Sequence, residues 1–197
     1  MTITYRQANA DDADIIAELT VMTAGGISDY MLNNLFPNTS TEEMLKLAIL
    51  DEDNAMCYNN TLIAEEDGKV VGATNYYPAT DHVIPEIMRA FIPQERLDHM
   101  KNFYETRIDD SLYIHTLAVI PEYRNTPTAL DLCHLLEDVA KEKGLKYLSA
   151  HVWADNTPVV TALTFAGFKV DRNVEVKRHE LLPHDDGMLL MKSPEIQ

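Results

Sequence analysis

Two adjoining stretches carry side chains that can do chemistry. In "LYIHTLAV", residues 112–119, strand alternation puts Tyr113 and His115 on one face. Imidazole titrates near neutral pH, so His115 is the first candidate for taking a proton from a nucleophile. The next residues, "IPEYRNTPTA", pass from strand end through a short turn into a helix pattern. Uncommitted backbone N–H groups at such a turn make an anion site, and Arg124 just before it adds positive charge. Strand, turn and helix with one Arg is also a common arrangement, so from the residues alone the loop reads either as a phosphate site or as only a turn.

The elements that must position these groups follow from periodicity and turn chemistry. "TITYRQA" reads as an opening strand, followed by a helix to about residue 24 with Ile15, Ile16, Leu19 and Met22 at helical spacing and Asn9 or Asp11 as cap. The pair Gly25-Gly26 ends it. A second helix is expected near 28–35 and a third over "STEEMLKLAIL", capped by Thr39 or Ser40. "NTLIAEEDGKVVGATNYYP" reads as two strands joined at Asp67-Gly68, a strong hairpin signal. Residues 81–109 read as an inserted helical pair broken by Pro85 and Pro93, with Leu97, Met100 and Tyr104 as its stripe. Strand 112–119, helix 127–143, strand 146–153, helix 157–166, strand 168–176 and a final strand at 187–192 complete the order. Strand, crossover helix, strand implies some parallel pairing, and the hairpin supplies antiparallel neighbours. The expectation is a single α/β domain over residues 1–197, a mixed and mostly antiparallel sheet with helices on both faces. In helix 127–143, Asn125 or Thr126 is the expected cap and Pro127 falls in the first turn. Ala129, Leu132, Cys133, Leu136 and Ala140 form its buried stripe.

"LAVIPEYRNTPTA" resembles the acyl-CoA-binding motif of the GNAT superfamily of N-acetyltransferases, in which Leu-x-Val-x-Pro-x-Tyr-Arg precedes a Gly-x-Gly/Ala turn. "ITYRQANADDADIIAEL" is similar to that family's opening strand and helix, and "LIAEEDGKVVGATNYYP" to its second and third strands. "ADNTPVVTALTFAGFKV" resembles its late Asn-to-Gly-Phe segment. The resemblance covers nearly everything except residues 81–109 and implies the GNAT fold with acetyl-CoA as co-substrate. It implies that Leu117, Ala118 and Val119 offer main-chain groups to the pantetheine arm. Arg124, Asn125, Thr126, Thr128 and Ala129 would surround the pyrophosphate, and Asn156 would lie near the pantetheine. Read from its own position before Pro158, Asn156 serves equally as a helix cap. "YIHTLAV" resembles the matching stretch of arylalkylamine N-acetyltransferases, where a His helps relay a proton; His115 also reads as a core-edge histidine.

Two departures from the family pattern matter. The first glycine of the turn is Pro127, which lacks an N–H. Losing one charge-assisted hydrogen bond costs roughly 1.5–3 kcal/mol, so binding weakens without vanishing. The family's Tyr seven residues after the Asn, a general acid to the thiolate, is Leu163 here. Either the thiolate leaves unassisted or Tyr113 substitutes. The implied activity is transfer of an acetyl group from acetyl-CoA to a small-molecule amine by direct attack. The rival is a GNAT-like domain that holds a CoA ester, or nothing, without turnover.

Composition sets the outer limits. With 197 residues, 46% of them hydrophobic and 24% charged, the chain can bury a sizeable core. The formal net charge of −16 disfavours nucleic-acid and anionic-membrane partners, whose phosphates are held by Lys and Arg; it reads first as serving solubility and is also compatible with a cationic substrate. No apolar run reaches membrane-spanning length and the N-terminus does not read as a secretion signal, so a cytoplasmic setting is expected. Nothing in the composition opposes a homodimer. Cys57 and Cys133 lack metal-ligand spacing, and no metal is expected. "HDD" at 184–186 reads as a solvated turn, and His151 and Trp153 as packing. Tyr76, Tyr77, His82, Met100, Phe103 and Tyr104 are candidates for an acceptor pocket.

Overall fold

The structure, a computed structural model, describes residues 2–197. One seven-stranded sheet runs through it in the order β1-β2-β3-β4-β5-β7-β6. Its strands are β1 (Thr4–Gln7), β2 (Thr61–Glu66), β3 (Lys69–Pro78), β4 (Ser111–Val119), β5 (Tyr147–Trp153), β6 (Lys169–Val174) and β7 (Met188–Lys192). Every neighbouring pair is antiparallel except β4 and β5. The mixed, mostly antiparallel sheet is therefore as expected.

Local chemistry explains most boundaries. Asp67 and Gly68 both take positive φ, 51° and 77°, the two-residue turn whose twist matches a hairpin. Asn9 caps a short 3₁₀ turn, and helix α1 (Ala13–Thr23) follows directly. Helix α2 (Ile27–Leu32) is shorter than the pattern suggested. Ser40, not Thr39, caps α3 (Thr41–Leu50), with Glu43 reaching back to complete a capping box. Gly25 and Gly26, at φ 56° and 88°, turn the chain between α1 and α2. A Cβ on Gly26 would come 1.9 Å from the Leu181 carbonyl oxygen, so only glycine fits.

Residues 86–105 form three short helices rather than a pair: α4 (Glu86–Arg89), α5 (Gln94–His99) and α6 (Lys101–Glu105). Pro85 and Pro93 do not break helices; each immediately precedes one, where a missing N–H costs nothing. Ile84, Ile92, Met100 and Phe103 pack from this segment against Tyr30, Met31, Trp153 and Met188.

Helix α1 and α3 cover one face of the sheet, through Ile16, Leu19, Leu45 and Ile49 against Ile63, Ala73 and Ala118. Helices α7 (Thr128–Glu142) and α8 (Thr157–Phe165) cover the other. There Cys133, Leu136, Ala140 and Leu163 meet Tyr76, Leu112, Ile114, Leu148 and Val152. No helix among the described residues is long and apolar enough to cross a membrane.

Two irregularities in β4 shape everything that follows. Asn75 pairs with Thr116 but Tyr76 pairs with Ile114, so His115 is an extra residue with no partner on β3. On the other side, β4 and β5 pair only from Ser111↔Tyr147 to Tyr113↔Ser149. Beyond Tyr113 the two strands part, and the sheet opens into a wedge.

Candidate active site

The wedge exposes main chain that a continuous sheet would hide. Ile120 N–H donates to Val71 O, and the Ala118 carbonyl faces Gly72 closely. Main-chain groups alternate sides along a strand, so those of Leu117 and Val119 point away from β3, into the gap. Arg124 Nε donates to Val119 O at 3.3 Å, which shows that this carbonyl faces the open side. Ala118 instead directs its main chain to β3 and its side chain into the α1 core.

At the far end of the gap stands the N-terminus of α7. The helix begins at Thr128, and Pro127 is its N-cap, with φ −65° and ψ −6° and no side-chain cap. Neither Asn125 nor Thr126 caps in the expected way. The Thr126 hydroxyl donates to Tyr123 O at 2.6 Å and lies 2.7 Å from the Thr128 hydroxyl, so the two threonines brace the loop. Thr128 N–H has only a long contact, 3.4 Å, to Thr126 Oγ1. The first intrahelical bond is Asp131 N–H to Pro127 O, which leaves the Ala129 and Leu130 amides without helical acceptors. Asn125 and Arg124 are exposed beside them. The positive end of the longest helix thus meets unclaimed donors and one guanidinium.

The bulge sets the chemistry of the floor. Because His115 is inserted, its side chain and that of Thr116 leave the same face. His115 Nδ1 lies 3.1 Å from Thr116 Oγ1, and Thr116 reaches Thr20 of α1 at 3.4 Å. The His115 ring packs 5.6 Å from that of Tyr77, which also neighbours Tyr113 at 5.5 Å. Tyr113 and His115 therefore do share a face. Burial lowers the His115 pKa to about 4, so its ring is neutral at pH 7. His115 Nε2 has no protein partner among the described residues.

Around these residues lies an aromatic cluster. The Tyr113 hydroxyl is 3.1 Å from His151 Nδ1, and Tyr77 hydroxyl is 3.2 Å from His82 Nδ1, whose Nε2 faces Phe103 O at 3.3 Å. Burial lifts both phenols well above their ordinary range, so each remains a donor at neutral pH. Burial lowers His151 to about 3; burial and its imidazole neighbours push His82 well below 6.5. His151 Nε2 is buried with no partner among the described residues.

The aromatic cluster, His115, Leu117, Val119, Arg124 and Ala129 line one cleft of ≈ 1730 Å³. That exceeds the roughly 300–1,000 Å³ of a typical small-ligand pocket. Tyr77, His82, Phe103 and Tyr104 line it as expected. Tyr76 does not: alternation sends it to the α7 face, into the core with Cys133 and Leu136. Met100 is fully buried under α5 and α6 and has no cleft surface. Asn156 precedes α8 but its side chain makes no cap bond, and it lines the cleft. Leu163 is buried on the cleft wall, where it brings no hydroxyl. Cys133 sits among apolar side chains and burial raises its thiol to about 11, which removes it as a nucleophile.

Sequence reasoning left three cleft residues among packing and turns: His151, Trp153 and His184. His184 Nδ1 lies 2.6 Å from Asp155 Oδ1, and its ring stacks on the Trp153 indole at 4.3 Å and 12°. Alternation of His151 and Trp153 on β5 was the available signal for the first two. Nothing local pointed to the third, which comes from 29 residues beyond its partner. Among the described residues no group of three or more His, Cys, Asp and Glu side chains is placed to hold a metal ion.

A strand parted from its parallel neighbour, with a helix N-terminus over the opening, is the setting in which the family comparison falls. The acetyltransferase (GNAT) family model matches residues 29–168, and the chain belongs to this family. Comparison with curated proteins gives no match. Among solved structures, an acetyltransferase superposes with TM-score 0.69 at 22% identity, over 98% of this chain and 100% of its own. An N-acetyltransferase from Staphylococcus aureus Mu50 gives 0.69 at 21%, over 96% and 98%. The PaiA N-acetyltransferase from Thermoplasma acidophilum, solved with coenzyme A, gives 0.56 at 15%, over 98% and 99%.

Proposed function

We propose that the chain is an N-acetyltransferase that moves an acetyl group from acetyl-CoA to the amine of a small molecule by direct attack. The observation that carries this reading is the open wedge between β4 and β5, bordered by the Leu117 and Val119 main chain that faces away from β3 and roofed by the α7 N-terminus. The residues present fit a CoA ester. In this reading Leu117 and Val119 bond the pantetheine amides, with Ala118 between them fixing the strand. Arg124, Asn125, Thr126, Thr128 and Ala129 take the pyrophosphate, and Asn156 turns its uncapped amide toward the pantetheine arm. Arg124 leaves Val119 O as the ligand arrives and swings toward the phosphates. Acetyl-CoA supplies the activated acyl group; the protein supplies position and proton handling.

His115 is assigned the base on the floor. Thr116 fixes its Nδ1, and Nε2 is left to accept a proton from the attacking nitrogen, directly or through water. A neutral imidazole of low proton affinity is a weak base, but it passes the proton on readily. Tyr113 is assigned the donor's part toward the departing sulfur, in place of the hydroxyl that Leu163 lacks. Residues 81–109, an insertion within the one domain, supply Tyr104, Phe103 and His82 to the acceptor wall. The amine's own body lies among these rings, and the chain's negative balance favours its cationic form.

Calorimetry with acetyl-CoA and a free-thiol assay over a panel of primary amines test the reading together. Binding with thiol release supports it. Binding with no release against any amine would replace it with a CoA-ester-binding regulatory domain, as Pro127 and Leu163 would then explain. No binding would remove both.

A further inference from the structure

The acceptor amine enters at neutral pH mainly as an ammonium ion, and must lose one proton before it attacks and a second as the amide forms. His115 serves one of these events. A further imidazole, that of His184, lines the same cleft from the loop that leads into β7. His184 Nδ1 is 2.6 Å from Asp155 Oδ1, so its N–H donates to that carboxylate and Nε2 carries the lone pair. The ring lies flat on Trp153, which fixes its plane. Nε2 borders Gly25, where an added Cβ would come within 3.1 Å of it, and Gly25 itself lines the cleft. The loop carrying His184 is anchored by Arg178 to Asp185 at 2.8 Å and by Ala154 N–H to Gly187 O at 2.9 Å. Trp153 ends β5 on the face that His151 also occupies, so His184 stands across the wedge from β4. Asp155 immediately precedes Asn156.

We propose that His184, oriented by Asp155 and stacked on Trp153, takes the first proton from the ammonium group of the acceptor. This rests on the acyl-transfer reading above. In the step an ammonium N–H bond breaks, its electron pair stays on nitrogen, and an N–H bond forms at His184 Nε2. The imidazolium then loses its proton to water, which its side-chain exposure of 21% permits. Asp155 is a positioning residue that keeps the lone pair on the cleft side. The other groups packed on the ring, Trp153 and Gly25, carry no charge; on its own loop Asp185 is engaged by Arg178, and Asp186 is exposed.

Trp153 is the chain's single tryptophan, which gives the test an optical reading besides turnover. The His184 ring covers one face of the indole, so the emission of full-length His184→Gln differs from that of the wild type. With acetyl-CoA and an amine that the wild type accepts, His184→Gln lowers kcat/KM at pH 7 by about 10²-fold, the usual worth of a positioned base. Activity recovers as pH approaches the amine's own pKa, where free base is already present. Asp155→Asn shows the same recovery and Asp155→Glu restores activity at pH 7. Equal activity of His184→Gln and wild type at pH 7, or a loss that is the same at every pH, overturns the proposal while the acyl-transfer reading stands. A wild type that releases no thiol with any amine removes that reading, and this step with it.

Discussion

His115 and Thr116 are consecutive in a strand, yet His115 Nδ1 and Thr116 Oγ1 lie 3.1 Å apart. Regular strand would send them to opposite faces; the bulge is what brings them together. Thr116 in turn contacts Thr20, so the ring is tied to α1. His115→Ala should lower kcat by about 10²-fold and leave acetyl-CoA affinity near wild type. Thr116→Val should fall between, since it removes the group that fixes the ring without removing the ring. Stopped-flow thiol release and calorimetry separate the two effects, and unchanged turnover in His115→Ala would remove the base from the floor.

The buried histidines make the fold acid-sensitive. An unfolded chain protonates His near pH 6.5, whereas in the folded protein His115 resists to about 4 and His151 to about 3. The unfolded state therefore binds more protons below about pH 6.5, and stability falls as pH drops through that window. Tm measured from pH 7.5 to 4.5 should decline steadily. His82→Gln, which removes a third depressed imidazole, should flatten the decline whatever it does to Tm at pH 7.5.

Pro127 stands at the N-cap of α7 with φ −65°, a conformation open to any residue. Pro127→Ala restores an N–H at the helix terminus without strain. Acetyl-CoA affinity should rise, at most by the one to two orders of magnitude that one charge-assisted bond supplies. An unchanged Kd would mean that this corner directs its amides elsewhere.

Asn156 distinguishes a helix cap from a ligand. Its side chain makes no cap bond, so Asn156→Ala should cost less than the ~1 kcal/mol of a lost cap. The same variant should raise KM for acetyl-CoA by several fold. A large drop in Tm with unaltered KM would assign the residue to the helix instead.

Glycine positions separate backbone strain from collision. Gly68 has φ 77° but open space, so Gly68→Ala should cost only about 1–2 kcal/mol of left-handed strain. Gly26 has φ 88° with the Leu181 carbonyl 1.9 Å from any Cβ, and Gly26→Ala should cost about 3 kcal/mol or more. Chemical denaturation of the two variants provides the contrast.

The order and type of the main elements were legible because their signals are local. The Asp67-Gly68 turn, the Ser40–Glu43 box and the apolar stripe of α7 each lie within a few residues. Tyr113, His115, Leu117, Val119, Arg124 and Ala129 line one cleft, whereas Ala118, Asn125, Thr126 and Thr128 do not. What stayed hidden depends on partners distant in sequence. The bulge at His115 exists only in register with β3. Tyr76 and Tyr77 are adjacent in "NYYP", and which of them faces the cleft is decided by the sheet. Proline set the start of α7 one residue later than capping rules suggest, because Thr126 spends its hydroxyl on Tyr123 O. The His184–Asp155 pair is formed by a loop returning to the end of β5.

The short β4–β5 ladder has a mechanical consequence. Among the described residues three pairs, from Ser111↔Tyr147 to Tyr113↔Ser149, are all the strand pairing that joins strands β1–β4 to strands β5–β7. Among the contacts that also span this seam is α7, whose Leu136 and Ala140 pack with Leu112 and Ile114 from one half and Leu148 and Ala150 from the other. The helix is thus a bracket across a hinge line, and whatever grips its leading end also stiffens the join between the two halves of the molecule.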